Sequence, residues 1–283
     1  MTVCVSVKVH DCLIFAADSA SSLVGSASNG DPVVLNVYDH GNKVFNLYKG
    51  KPIVAMTCGM GHMGYASIGN LAKDFRRMIT KGVNGDKIDP ENYTIKEVVT
   101  RAHAFFSEKY VQIDPSPASP HGFEFWIGGY GANCDNAEIW KLVISDGEVY
   151  DPELIADESQ SGHVSWGGQP KPIQRLILGY DAELADGLVE AGIPEGTVQP
   201  LLAQVGQRLL TPLVHAAMPV QDAIALADFL VDLTKRYFAF LPGADIVGGD
   251  TDIATVTKHE GFKWIRRKHY YDAHLNPTET DHA

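Results

Sequence analysis

Val3, Val5, Val7 and Val9 alternate with Cys4, Ser6 and Lys8 at the start of the chain, the period-two pattern of a half-buried β-strand. Leu13-Ile14-Phe15-Ala16-Ala17 is a second run of strand length, so the two predict a β-hairpin. With the turn over His10, Asp11 and Cys12, Val9 pairs with Leu13 and Cys4 faces Asp18, which then projects on the same face as Thr2. An opening of this kind has to be buried under something. The 283 residues, 45% apolar and 20% charged, are enough for a hydrophobic core and argue against disorder, collagen and coiled coil.

The rest of the chain segregates strands from helices. Residues 19–42 are rich in Ser, Gly, Asn and Asp and read as loop, with a short strand at Val33-Val34-Leu35. Lys43–Leu47 and Ile53–Cys58 flank a Gly- and Pro-containing turn and predict a second hairpin. Ile68, Leu71, Ala72, Phe75, Met78 and Ile79 recur at helical spacing, as do Ile95, Val98, Val99, Ala102, Phe105, Phe106 and Tyr110. Strand-like runs return at Phe123–Ile127 and Ile139–Ile144. Residues 169–240 read as helical, interrupted over Gly179–Pro200, with Pro219 opening the last helix. Ile253–Val256 and Phe262–Ile265 supply two further strands. The expectation is an α+β fold in one domain over residues 1–266, followed by a polar tail at 267–283.

Composition removes several function classes. Twenty-three Lys plus Arg against 35 Asp plus Glu give a formal charge of −12, the wrong sign for nucleic acid or an anionic membrane. No apolar run approaches a spanning helix and the N-terminus alternates, so the reading is a cytoplasmic protein without signal peptide. Four scattered cysteines make neither a disulfide framework nor a zinc motif, and no cofactor is expected. Gly59-Met60-Gly61-His62-Met63-Gly64 spells G-x-G-x-x-G between a strand and a helix. The following KGVNGDKIDPENY holds no buried parallel strand, so the glycines are read as a tight turn and not a dinucleotide site. Asp250-Thr251-Asp252 reads as a turn, and Gly-x-Ser-x-Gly is absent.

The chemistry concentrates at the N-terminus. Met1 precedes a small residue, a context in which the initiator is removed, and removal leaves Thr2 with its hydroxyl beside its own α-amine. A threonine hydroxyl needs an adjacent base, and an α-amine of pKa roughly 7.7–8.0 can be that base near neutral pH. Asp18 would orient a nearby ammonium group, and Lys43 would oppose protonation of the amine by like-charge repulsion.

MTVCVSVKVHDCLIFAADSASS followed by NKVFNLYKGKPIVAMTCGMGHMG resembles the proteasome β-type subunits, N-terminal-nucleophile (Ntn) hydrolases. Trp166-Gly167-Gly168-Gln169-Pro170-Lys171-Pro172-Ile173 is similar to the bacterial proteasome-like relatives called Anbu. The resemblance implies a four-layer αββα sandwich and a threonine peptidase acting on peptides or unfolded proteins inside a homo-oligomeric ring or related assembly. A separate ATP-dependent unfoldase is a partner by the same analogy. Carried over by position, Thr2 is nucleophile and base, Asp18 and Lys43 are the supporting charge pair, Gly59 donates to the oxyanion, and Ser22 and Thr57 line the substrate channel. The chain departs from the pattern at Ala20, where a basic residue is common, at Cys12, where Gly is common, and at Trp166-Gly167-Gly168, the best-fitting place for a Gly-Ser-Gly turn whose serine is replaced. Ser165 would need a register shift to replace that serine, and Asp245 is the nearest match to the family's downstream Asp. The alternatives are a non-catalytic assembly protein of the same fold and a small-molecule Ntn amidase.

Overall fold

The computed structural model describes residues 2–27, 32–82, 85–112, 122–243 and 246–268; Asp245 lies outside them. The first hairpin is β1 (Val3–Val9) and β2 (Cys12–Ala17). Its register corrects the expectation by one residue: Val9 pairs with Cys12 and Cys4 with Ala17. The turn consists of His10 and Asp11 only, which places Asp18 opposite Val3, whose carbonyl accepts the Asp18 N–H at 3.3 Å. Asp18 sits just past the strand, so strand alternation no longer dictates where its carboxylate points.

Residues expected as loop form a second antiparallel ribbon, β3 (Ser21–Ser26) with β4 (Pro32–Tyr38). Its apolar residues are contiguous (Leu23-Val24, Val33-Val34-Leu35) and not alternating, and neither main sheet covers it: Leu35 is 62% and Tyr38 56% exposed. The chain continues through β5 (Val44–Asn46), β6 (Ile53–Gly59), β7 (His62–Met63), β8 (Ala66–Ser67), α1 (Ile68–Lys81) and α2 (Ile95–Val111). Ser67 caps α1 by accepting the Asn70 N–H, and Thr94 caps α2 by accepting that of Glu97. Then come β9 (Phe123–Gly129), β10 (Glu138–Ser145), β11 (Glu148–Val149), β12 (Glu153–Ala156) and β13 (His163–Gly168). The helices α3 (Lys171–Leu178), α4 (Glu183–Glu190), α5 (Glu195–Leu209) and α6 (Val220–Ala239) lead to β14 (Asp252–Thr257) and β15 (Gly261–Arg266). The expected interruption at 179–200 is therefore mostly helical, holding α4 and the start of α5 with Pro200 inside it.

One sheet has the order β13-β1-β2-β14-β15 and the other β11-β10-β9-β6-β5, with β12 added on β10. Three apolar clusters hold them. Val3, Val5, Val7, Ile14 and Ala16 pack with Ile173 and Ile177 of α3 and Ala223, Ala227, Leu230 and Val231 of α6. Phe45, Ile53, Ala55, Phe123, Phe125 and Ile127 pack with the inner faces of α1 and α2. Between the sheets lie Cys4, Leu13, Phe15, Val54, Met56, Cys58, Trp126 and Ala254. The strand before the Gly59–Gly64 segment pairs antiparallel with β9, so the parallel context of a dinucleotide site is missing.

One pH dependence arises in this frame. His163 on β13 lies opposite Lys8, with Nε2 buried and unpartnered among the described residues. Burial, and then the Lys8 ammonium, hold its pKa below the ordinary histidine value. An unfolded histidine takes up its proton near about pH 6.5 and the folded one only at lower pH, so the unfolded chain binds more protons in between. Stability should therefore decline as pH falls from about 6.5 toward the folded value, and His163→Gln should flatten that decline. Urea midpoints of both proteins across this range test it; an equal decline in the variant would refute the assignment.

Candidate active site at the N-terminal strand

Thr2 precedes β1 and is nearly buried at 4% exposure. Its carbonyl accepts the Gln169 N–H at 2.8 Å, which ties the N-terminus to the end of β13. Gly168 makes this approach feasible: its φ is +82°, and a Cβ there would stand 2.0 Å from the Thr2 oxygen.

Asp18 is fully buried and accepts four hydrogen bonds. Oδ1 accepts the Val3 N–H at 3.0 Å and Lys43 Nζ at 2.6 Å, while Oδ2 accepts the N–H groups of Ala20 and Gly248, both at 3.1 Å. A buried carboxylate is tolerated when paired and hydrogen-bonded in this way. Lys43 is brought in by its own backbone, since its carbonyl accepts the Thr57 N–H at 2.9 Å beside β6. Around Asp18 the loop is clasped from the far end of the chain. Ser19 and Ala20 both donate their N–H to the Gly248 carbonyl at 3.0 Å, and Ser19 Oγ donates to the Asp250 carbonyl. Lys268 Nζ donates to Ser19 Oγ and to the Gly41 carbonyl and forms an ion pair with Asp252 at 2.7 Å.

The structure thus brings Asp18 and Lys43 together at the Thr2–Val3 peptide. Thr57 lies beside Lys43 on β6, but its hydroxyl is committed to the Glu124 carbonyl at 3.0 Å. Gly59 ends that strand at φ +86°, where a Cβ would meet the Gly122 carbonyl oxygen at 1.8 Å. Ser22 sits half-buried on the β3–β4 ribbon opposite Val37. Ser165 is directed elsewhere: its hydroxyl lies 2.7 Å from that of Ser6, opposite it on β1.

Sequence reasoning missed Glu124. It lies on β9, and Oε2 accepts from Trp126 Nε1 at 2.9 Å and from the Cys58 thiol at 3.2 Å. The same oxygen stands 2.7 Å from where a Cβ on Gly167 would be. The carboxylate therefore fills space that any side chain at position 167 would claim. The one available signal was a charged residue at the inward position of the alternating run Phe123-Glu124-Phe125-Trp126. Cys58 feels this neighbourhood: its hydrogen bond with Cys4, burial and the Glu124 charge push its pKa well above the ordinary thiol value.

No family model and no curated protein sequence matches the chain. Solved structures do. The Anbu complex from Pseudomonas aeruginosa, a helical assembly, superposes at TM-score 0.55 with 13% identity, over 96% of this chain and 89% of that one. An Anbu mutant from Hyphomicrobium sp. strain MC1 superposes at 0.56 with 14% identity, over 95% and 87%. Over nearly its whole length the chain therefore has the fold of the Anbu structures.

Proposed function

We infer that the chain is an N-terminal threonine peptidase acting on peptides or unfolded proteins within a self-compartmentalising homo-oligomer. The observation that carries this reading is the buried Asp18–Lys43 pair closed on the Thr2–Val3 peptide at the end of β1. The three apolar clusters support reading residues 1–266 as one four-layer αββα domain. With Met1 removed, the Thr2 α-amine accepts the hydroxyl proton as Oγ1 adds to the substrate carbonyl. The Gly59 N–H would stabilise the oxyanion, an interaction of a kind worth about 10²–10³ in rate. Collapse expels the amine product, which leaves with the proton, and water activated by the same α-amine hydrolyses the acyl-threonine ester. Ser22 and Thr57 are the proposed channel-lining positions. Thr57 contributes shape there, because its hydroxyl is already used.

The uncovered Leu23, Leu35 and Tyr38 of the β3–β4 ribbon favour assembly with further copies, since large exposed apolar residues grouped on one element mark contact surfaces. A charge of −12 argues against nucleic acid or anionic membrane as partners, and no helix among the described residues is long and apolar enough to cross a membrane. A cytoplasmic location and a separate ATP-dependent unfoldase follow from the family analogy. The competing reading, a non-catalytic assembly protein, draws on the Trp166-Gly167-Gly168 run, which offers no serine at the place of the expected Gly-Ser-Gly turn.

Intact mass before and after incubation with a peptide epoxyketone, a warhead that needs the hydroxyl and a free α-amine, separates the two. The expected result is loss of Met1 and a single adduct, absent in Thr2→Ala. Thiols interfere little: burial is the leading cause that pushes Cys12 and Cys134 each up to about 11, and Cys58 is also raised. Retained Met1 without an adduct overturns the peptidase reading.

A further inference from the structure

A cavity of about 360 Å³ opens where α1, the β5–β6 turn and the end of β15 meet, and none of Thr2, Asp18, Lys43 or Gly59 lines it. Its charged lining is Lys49, Lys73, Arg76, Arg267, Lys268 and Asp252, a formal +4 in a chain whose whole is −12. Such a concentration is costly to assemble, because like charges repel and the rest of the surface offers abundant carboxylates that could have been placed among them. The one carboxylate present is already taken: Asp252 accepts from Lys268 Nζ at 2.7 Å and from the Lys268 N–H at 3.0 Å. Lys73 and Arg267 have no carboxylate partner among the described residues.

The cations are also ordered. Lys73 and Arg76 stand three apart on α1 and share one face. Arg76 is braced against the Asn46 carbonyl at 3.4 Å. The Arg267 guanidinium lies over the Trp264 ring, 4.9 Å from its centroid. Cations held by three separate elements around one concavity suit a ligand with several negative charges better than a single ion, because each charge-assisted contact adds to the last. The volume falls within the range of small-molecule sites.

We propose that this cavity is a binding site for a small polyanion, bearing condensed phosphates or several carboxylates. The site is separate from the Thr2 centre but touches its frame. Lys268 on the cavity wall also holds Ser19 and Gly41, next to the Asp18 loop.

Titration calorimetry of the full chain with tripolyphosphate tests this, with citrate and sulfate as comparators. One saturable site is expected, binding tripolyphosphate or citrate at least about tenfold tighter than sulfate, with affinity falling as salt is raised. Tighter tripolyphosphate assigns the ligand to the phosphates, and tighter citrate to the polycarboxylates. The double variant Lys73→Gln/Arg267→Gln removes two exposed charges and should weaken binding by at least about tenfold, since charge-assisted hydrogen bonds are among the strongest contacts to an anion. Arg208→Gln, on α5 and outside the cavity lining, should leave it unchanged, and melting curves of both variants report that they fold. Absence of a saturable site, equal affinity for sulfate, or full binding by the double variant would overturn the proposal.

Discussion

Asp18→Asn is expected to lower stability by about 3–5 kcal/mol and to abolish labelling of Thr2. The substitution preserves shape but not charge. Lys43, 6% exposed, is left without its counter-ion, and the carboxamide must place an NH2 group among donors from Val3, Lys43, Ala20 and Gly248. At least one donor then faces another donor in a site that excludes water, and an unsatisfied buried group carries its full desolvation penalty. The Ser19–Ala20 clasp on Gly248 depends on the same carboxylate, so the end of β2 should loosen with it. The surface pair Lys51–Glu91 is the comparison. Its 2.9 Å contact has a carboxylate 82% exposed, and Glu91→Gln should cost less than about 1 kcal/mol. Urea unfolding of both variants measures the contrast. Equal midpoints would show that Asp18 does not organise the site.

Gly59→Ala should be nearly as damaging, for a steric reason. At φ +86° any side chain is strained, a cost of about 1–3 kcal/mol, and a Cβ would also lie 1.8 Å from the Gly122 carbonyl oxygen. That oxygen already accepts the Met60 N–H at 3.0 Å, so relief requires β6 and β9 to part at their ends. The peptide at Gly59 would rotate with them. Loss of Thr2 labelling is expected even in the fraction that stays folded. Gly64→Ala separates the two contributions. Gly64 also has positive φ, +58°, but nothing lies within 4 Å of its Cβ position, so only the conformational cost of about 1–2 kcal/mol applies. A Gly64 variant that keeps labelling, beside a Gly59 variant that loses it, would tie the effect to the β6 end. Equal behaviour of the two would remove Gly59 from the site.

Much of the fold could be read because its signals are local. The alternation of Val3 to Val9 reports a strand with one face under helices, and the valines do pack against α3 and α6. The spacing of Ile68 to Ile79 and of Ile95 to Phe106 likewise reports two helices that bury one face on a sheet. The pairing of Asp18 with Lys43 was implied by the family resemblance and not by spacing, which only set each at a strand end and placed Asp18 through a register one residue off.

What was missed depends on partners remote in sequence. The strand β13, His-Val-Ser-Trp-Gly-Gly, has no striking alternation and becomes a strand by pairing with β1, some 160 residues earlier in the chain. The β3–β4 ribbon reads as loop because its Ser, Gly and Asn content comes with no period-two apolar pattern, so its strands are defined by their mutual pairing and not by local spacing. The hairpin register turned on a single residue in the turn, which periodicity alone does not specify.

The amino-acid sequence by itself determined where the strands and helices could form, that the chain is strongly acidic, and that Thr2 can carry a hydroxyl beside an amine. Only the tertiary structure decided that Gly248 donates to Asp18, that Glu124 takes the space beside Gly167, and that Lys268 and Arg267 meet Lys73 and Arg76 around one cavity. The physical reason is range. Backbone geometry and apolar spacing act over a few residues, whereas burial, charge pairing and steric exclusion are set by groups that meet only after the two sheets have packed.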